Sequence, residues 1–208
     1  MTTPSFPKRD PGEPDFWDLR YEARFAPWDA GRVPARLARF IASQAAPGER
    51  APAKALVPGC GSGYEVRALA EARWDVLGID FSAEALAAAR PVLGPFADRV
   101  RQADFFAPLA EAPFDLVYER AFLCALPRRL WPAWAARMAE VVGDDGLLAG
   151  FFFIADGERG PPFPLHGQDE LDALLAPAFE CVENEPVADS IAVFAGRERW
   201  QAWRRRAR

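Results

Sequence analysis

Leu56-Val57-Pro58-Gly59-Cys60-Gly61-Ser62-Gly63 places three glycines at alternate positions between a short apolar run at 53–57 and a segment, 64–72, whose Val66, Leu69 and Ala70 recur at helical spacing. The pattern is strand, loop, helix. Glycine permits the tight turn and lets a ligand approach the backbone, while the first turn of the next helix offers free N–H groups and positive potential. A dinucleotide fingerprint would need its third glycine at position 64, where Tyr64 stands, and a phosphate-binding P-loop would need a Lys followed directly by Ser or Thr, a pair the loop lacks. Asp80 ends a second strand at 76–79, where a carboxylate can accept hydrogen bonds from both hydroxyls of a ribose. The combination suits a nucleoside that carries no pyrophosphate.

Outward from this unit the alternation continues. Ser82 can cap a helix that begins Ala83-Glu84 and runs towards Pro91, and strands are predicted at 99–103, 114–118 and 147–153. A long helix at 128–142 precedes the last of these and is ended by Gly143 and Gly146. Two short helices, 15–25 and 33–45, lie upstream of the first strand. Alternating strands and helices imply right-handed crossovers, so the expected fold is α/β, a doubly wound and mostly parallel Rossmann-like sheet. After 153 come a Pro/Gly-rich loop, a helix at 168–175 and strands at 179–183 and 190–195, expected as an antiparallel hairpin at the sheet edge. Pro4, Pro7, Pro11, Gly12 and Pro14 predict a mobile arm over 1–14, leaving 15–208 as a single domain.

Composition narrows the function. The 208 residues are 50% hydrophobic and 26% charged, which fits one ordinary globular domain. No apolar run approaches the roughly 18 residues of a spanning helix, and the N-terminus lacks the apolar core of a signal peptide, so a cytoplasmic protein without a membrane partner is expected. Cys60, Cys124 and Cys181 show no C-x-x-C spacing and His166 is the only histidine, which argues against disulfides, a metal site and histidine-based hydrolysis. A net charge of −5 argues against a nucleic-acid partner. The arginine-rich end, 197–208, carries Trp200 and Trp203 at i, i+3, predicted to pack one face of a terminal helix while the arginines stay solvated. Arginine far in excess of lysine, with abundant Ala and Pro, points to a GC-rich, bacterial coding sequence.

The glycine loop followed by a strand-terminal acid resembles S-adenosylmethionine-dependent methyltransferases of the Rossmann-like class, and Gln102-Ala103-Asp104-Phe105-Phe106 follows the third strand where that class contacts adenine. Tyr118-Glu119-Arg120-Ala121-Phe122 stands where base and glutamine amino-methyltransferases carry Asn/Asp-Pro-Pro-Tyr/Phe, which disfavours those acceptors. Together with Trp17-Asp18-Leu19-Arg20-Tyr21, Pro27-Trp28-Asp29-Ala30-Gly31 and Gly160-Pro161-Pro162-Phe163, these segments resemble the thiopurine S-methyltransferase superfamily, including its thiol and halide methyltransferases. The resemblance implies that Trp17, Tyr21 and Trp28 form an aromatic lid over S-adenosylmethionine, that Gly59, Gly61, Gly63 and Asp80 hold its methionine and ribose parts, and that Asp104 and Phe105 hold adenine. Arg120 falls where a further cofactor or acceptor contact is expected. It matches the thiopurine branch, whereas Pro27-Trp28-Asp29 and Phe122-Leu123-Cys124-Ala125 look like the thiol and halide branch.

Each of these residues also has a purely structural reading. Trp17, Tyr21 and Trp28 could be core aromatics, Arg120 could pair with Glu119 or Asp115, and Cys124 could be a small buried hydrophobe. Transfer to a thiolate or another soft anion needs no dedicated base, which agrees with the scarcity of histidine. Alignment in a dry pocket would supply the acceleration, with Phe16, Trp17, Phe151, Phe152, Phe153 and Phe163 as candidate walls. Arg120 is the candidate for stabilising the acceptor anion. A monomer acting on a small-molecule acceptor is expected. The alternatives are a small-molecule O-methyltransferase and a cofactor-binding protein without catalysis.

Overall fold

The structure, a computed structural model, describes residues 4–44 and 53–207; position 45 of the second helix and residues 1–3 of the arm lie outside them. Strands β1 (Lys54–Pro58), β2 (Asp75–Asp80), β3 (Val100–Gln102), β4 (Phe114–Arg120) and β5 (Val142–Phe153) run parallel. Strand β6 (Phe179–Pro186) forms one edge, and β7 (Glu198–Arg205) lies antiparallel between it and β5. The order β3-β2-β1-β4-β5-β7-β6 reverses direction between β1 and β4, the switch point at which open α/β sheets bind ligands.

Strand residues alternate between two apolar layers. Ala55 and Val57 of β1 pack with Leu37 of α2 (Ala35–Gln44), Val66 and Leu69 of α3 (Tyr64–Glu71) and Leu86 of α4 (Ala83–Leu93). Leu56 faces the other way, towards Trp134 and Met138 of α5 (Trp131–Val141) and Leu171 of α6 (Gln168–Leu175). The expected doubly wound, mostly parallel sheet with antiparallel pairing at its edge is therefore the observed one. At Gly150 the chains of β4 and β5 approach so closely that an added Cβ would lie 1.8 Å from the Glu119 carbonyl oxygen.

Two expectations fail at the C-terminal end. Residues 190–195 form no strand; they are an irregular, turn-rich segment whose Phe194 is 1% exposed and packs with Phe153 and Cys124. The hairpin partner of β6 is instead the tail, from Glu198 to Arg205. Nor is that tail a helix. Residues three apart on a strand point to opposite faces, so the spacing of Trp200 and Trp203 places one tryptophan in each apolar layer. Arg197, Arg204 and Arg206 are exposed, as expected, while Arg205 is partly buried and donates to the carbonyls of Ala139 and Ala178; Arg206 also donates to that of Phe179.

Among the described residues no helix is long and apolar enough to cross a membrane.

Candidate active site

A cavity of about 770 Å³ opens at the carboxyl ends of β1, β2 and β4. Its floor is the turn after β1. Gly59 and Gly61 hold φ values of +60° and +50°, which L side chains rarely adopt, and a Cβ on Gly59 would come within 2.5 Å of the Phe122 ring. A Cβ on Gly61 would meet the Tyr21 hydroxyl at 2.8 Å. Gly63 is different. It precedes α3 with φ +78° and faces Ala89 and Leu93 of α4, so it shapes the turn and does not line the cavity.

Asp80, at the end of β2, accepts the Gly61 and Ser82 N–H groups at 3.0 Å each. Burial pushes its carboxyl up to about 6, against the pull of those two backbone bonds. Asp104 and Phe105 line the same cavity; Asp104 accepts the Phe106 N–H, and Phe105 packs edge-on to Phe122 at 5.3 Å. Two glycines that leave room for a ligand, an acid at the adjoining strand end and an aromatic beyond it suit the amino-acid, ribose and adenine parts of S-adenosylmethionine in turn.

The opposite wall comes from α1 (Pro14–Glu22) and the loop after it. Trp17 stacks edge-on with Trp28 at 5.3 Å, Tyr21 with Trp28 at 6.0 Å, and the Trp17 indole N–H donates to the Pro11 carbonyl. Asp18 tethers this helix by accepting from the Ser82 hydroxyl at 2.6 Å and from the Glu84 N–H, while Ser82 caps α4 through the Ala85 N–H. Asp29 accepts the Ser62 hydroxyl, joining the following loop to the glycine turn. Burial pushes the Tyr21 phenol far above its ordinary range, so it stays protonated.

At the deep end Arg120 lies over the Phe151 ring at 4.7 Å, with its Nε 3.7 Å from Glu65. Burial works against its charge, but Tyr118, Glu65 and Glu198 outweigh it and raise the guanidinium pKa. Burial raises the Glu65 carboxyl in turn, and Arg120 pulls it back. Arg120 pairs with neither Glu119 nor Asp115. Instead Glu119 accepts the Phe122 and Leu123 N–H groups, fixing the turn after β4, and burial pushes its carboxyl up to about 7. Cys60 and Cys124 also line the cavity, and burial raises both thiols, which disfavours the thiolate form.

Of the walls expected from sequence, Phe16 and Trp17 line the cavity, whereas Phe151, Phe152, Phe153 and Phe163 do not. Pro161 and Pro162 take the place of Phe163, because that ring packs back over Gly160. The Phe163 N–H donates to the Cys124 carbonyl at 2.7 Å, and Arg128, paired with Glu170, donates to the Pro164 carbonyl, so the Gly-Pro-Pro loop is anchored where it ends. His166 lies outside the cavity and contacts Gly157 and Glu158. Sequence reasoning missed Asp18, Glu65, Glu119, Glu170 and Glu198. The signals were acids beside apolar positions, which pattern alone reads as surface.

Comparison with known proteins agrees with this geometry. The family model for thiopurine S-methyltransferase (TPMT) matches residues 12–206. Thiocyanate methyltransferase 1 of Brassica oleracea is 33% identical over 195 residues, covering 91% of this chain and 84% of that protein. A thiopurine S-methyltransferase of Vibrio cholerae is 29% identical over 169 residues, 73% of this chain and 76% of the other. Among solved structures, Burkholderia thailandensis 1,6-didemethyltoxoflavin-N1-methyltransferase superposes with a TM-score of 0.73 at 18% identity, covering 98% and 93% of the two chains. A TehB-like methyltransferase from Corynebacterium glutamicum gives 0.66 at 21% identity, covering 92% and 100%. With the family matched along nearly its whole length, this chain belongs to the thiopurine S-methyltransferase family and is an S-adenosylmethionine-dependent S-methyltransferase.

Proposed function

We propose that this enzyme methylates the sulfur of a small thiol or thiopurine, or a related soft anion such as a halide, by in-line displacement. The observation that carries the reading is one cavity with two unlike ends, a glycine turn closed by Asp80 and an apolar wall carrying the Arg120 guanidinium. When bound, S-adenosylmethionine supplies an electrophilic methyl on a sulfonium. Gly59, Gly61 and Asp80 would hold its methionine and ribose parts, Asp104 and Phe105 its adenine. Trp17, Phe122, Pro161 and Pro162 exclude water and orient an apolar acceptor body, a role for which positioning alone contributes about 7–11 kcal/mol in favourable cases. Arg120 stabilises the acceptor as its anion, lowering a thiol's pKa without taking its proton. The names of the thiocyanate and thiopurine methyltransferase relatives support a sulfur acceptor.

The test is methyl-labelled cofactor offered with aryl thiols, thiopurines, thiocyanate, hydrosulfide and iodide. Label should appear on sulfur or halide. Transfer to phenols but to none of these would overturn the reading. Trp17 and Trp28 as a lid are tested separately: cofactor should protect the bonds after Arg20 and Arg24 from trypsin, and Trp17→Ala should slow transfer. Equal cleavage with and without cofactor, together with normal turnover of the variant, would reduce these aromatics to core.

A further inference from the structure

Arg120 borders two cavities. One is the large cavity described above; the other, of about 10 Å³, is also lined by Phe151, Ser190 and Glu198. Glu198 is the first residue of β7, in register with Phe153 of β5, and is 6% exposed. Its Oε2 and the Ser190 hydroxyl are buried without a hydrogen-bond partner in the protein. Two further charged groups line this space, but they are engaged with each other: Arg32 lies 3.6 Å from Asp189, which also accepts the Ala35 N–H. A buried carboxylate is costly unless it is paired, and among the described residues the remaining cation lining this cavity is Arg120. The space is about that of one water, which is held where two to four polar groups converge.

We propose that Glu198 is a positioning residue for the transfer reaction. Across the small cavity, through one internal water shared with the Ser190 hydroxyl, it holds the Arg120 guanidinium against the Phe151 ring. Glu65 grips the same guanidinium from α3, so the direction in which Arg120 presents its N–H groups to the acceptor is set jointly by α3 and β7. The C-terminal strand, which touches no part of the large cavity through Glu198, thereby tunes acceptor recognition. Burial raises the Glu198 carboxyl, the nearby Ser190 hydroxyl and then the Arg120 charge pull it back, and Asp189 pushes it up again. This inference rests on the reading of Arg120 as an acceptor contact.

A double-mutant cycle on the full-length enzyme tests it, using the fastest acceptor of the labelled-methyl panel. Glu198→Gln preserves shape while removing charge. It should raise the acceptor KM about fivefold or more and leave cofactor affinity within about twofold, and in an Arg120→Met background it should change that KM by less than about twofold. Equal effects of Glu198→Gln in both backgrounds, or a parallel loss of cofactor affinity, would overturn the proposal, since a merely structural carboxylate gives no such coupling. If Glu198→Gln does not fold, Ser190→Ala should give the same split in smaller size; its absence is equally fatal. Should Arg120→Met alone leave the acceptor KM unchanged while transfer persists, the acceptor role of Arg120 fails and this proposal with it. Absence of transfer by the unaltered enzyme to every sulfur or halide acceptor is the separate result that removes the proposed activity.

Discussion

The two ends of the cavity are built from different material. At the proposed cofactor end the frame is main chain: a glycine turn with positive φ values, and the N–H groups of Gly61 and Ser82 that hold the Asp80 carboxylate. Those groups are fixed by the register of β1 with β2, and there is no room for an added side chain at Gly59. At the proposed acceptor end the walls are side chains from segments far apart in sequence. Glu119 fixes the turn after β4, the Arg128–Glu170 pair and the Cys124 carbonyl fix the 160–163 loop, and α1 supplies Trp17. A sheet-built end resists variation. An end assembled from long-range side-chain bonds can be retuned one residue at a time, which suits a family whose members are named for different acceptors.

Removing what both ends share is the harshest way to erase that contrast. Deleting residues 198–208 withdraws β7 from between β5 and β6 and exposes layers that Trp200 and Trp203 fill at 0% and 2% exposure. Losing one such tryptophan costs about 3–5 kcal/mol, and whole domains are stable by about 5–15 kcal/mol. The truncated chain should fail to give a cooperative melting transition. A folded, active truncation would refute the strand's structural role.

Asp80→Ala addresses one end alone. It should weaken cofactor binding by about 1–3 kcal/mol, roughly 5- to 150-fold, with the acceptor KM unchanged at saturating cofactor. Calorimetry that finds unchanged affinity removes the ribose assignment. The complementary change, Arg128→Ala, frees the Gly-Pro-Pro loop and should raise the acceptor KM severalfold at constant cofactor affinity, by losing a charge-assisted bond to the Pro164 carbonyl. Arg128→Lys, which keeps a charged donor for that carbonyl, should recover part of that loss, and a cofactor defect in either variant would contradict the division of labour.

The smallest effect sharpens the comparison by pH. With the Asp80 carboxyl pushed up to about 6 by burial, the cofactor-free protein carries it protonated below that pH. Hydroxyl donors favour the ionised form, so cofactor affinity should fall as pH drops through about 6 and level off above it. In Asp80→Asn that dependence should vanish.

The gathering of Gly59, Gly61 and Asp80 at one end of the cavity was legible in the sequence because that unit is local. Gly59 through Asp80 lie within one strand-loop-helix-strand unit, so spacing along the chain is spacing in the site. The acceptor end is not local. Glu65 reaches Arg120 and Glu170 reaches Arg128 across the fold, and a buried acid looks like a surface acid until its partner is placed. The tail misled for another reason. Two tryptophans three apart satisfy a helix face and equally a strand buried on both sides, and the pairing of 198–205 with both β5 and β6 decides between them.

Asp18 carries a consequence for how the molecule breathes. Through the Ser82 hydroxyl and the Glu84 amide it joins α1 to the start of α4, whose own cap is that same serine. Opening one helix therefore unseats the other, and amide protons in the second turn of α1 and the first turn of α4 should exchange with solvent at a common rate, although 64 residues separate Asp18 from Ser82. Any motion that admits the cofactor would then hinge within the loop after α1, at Arg24 with its φ of +53°, rather than at the helix itself.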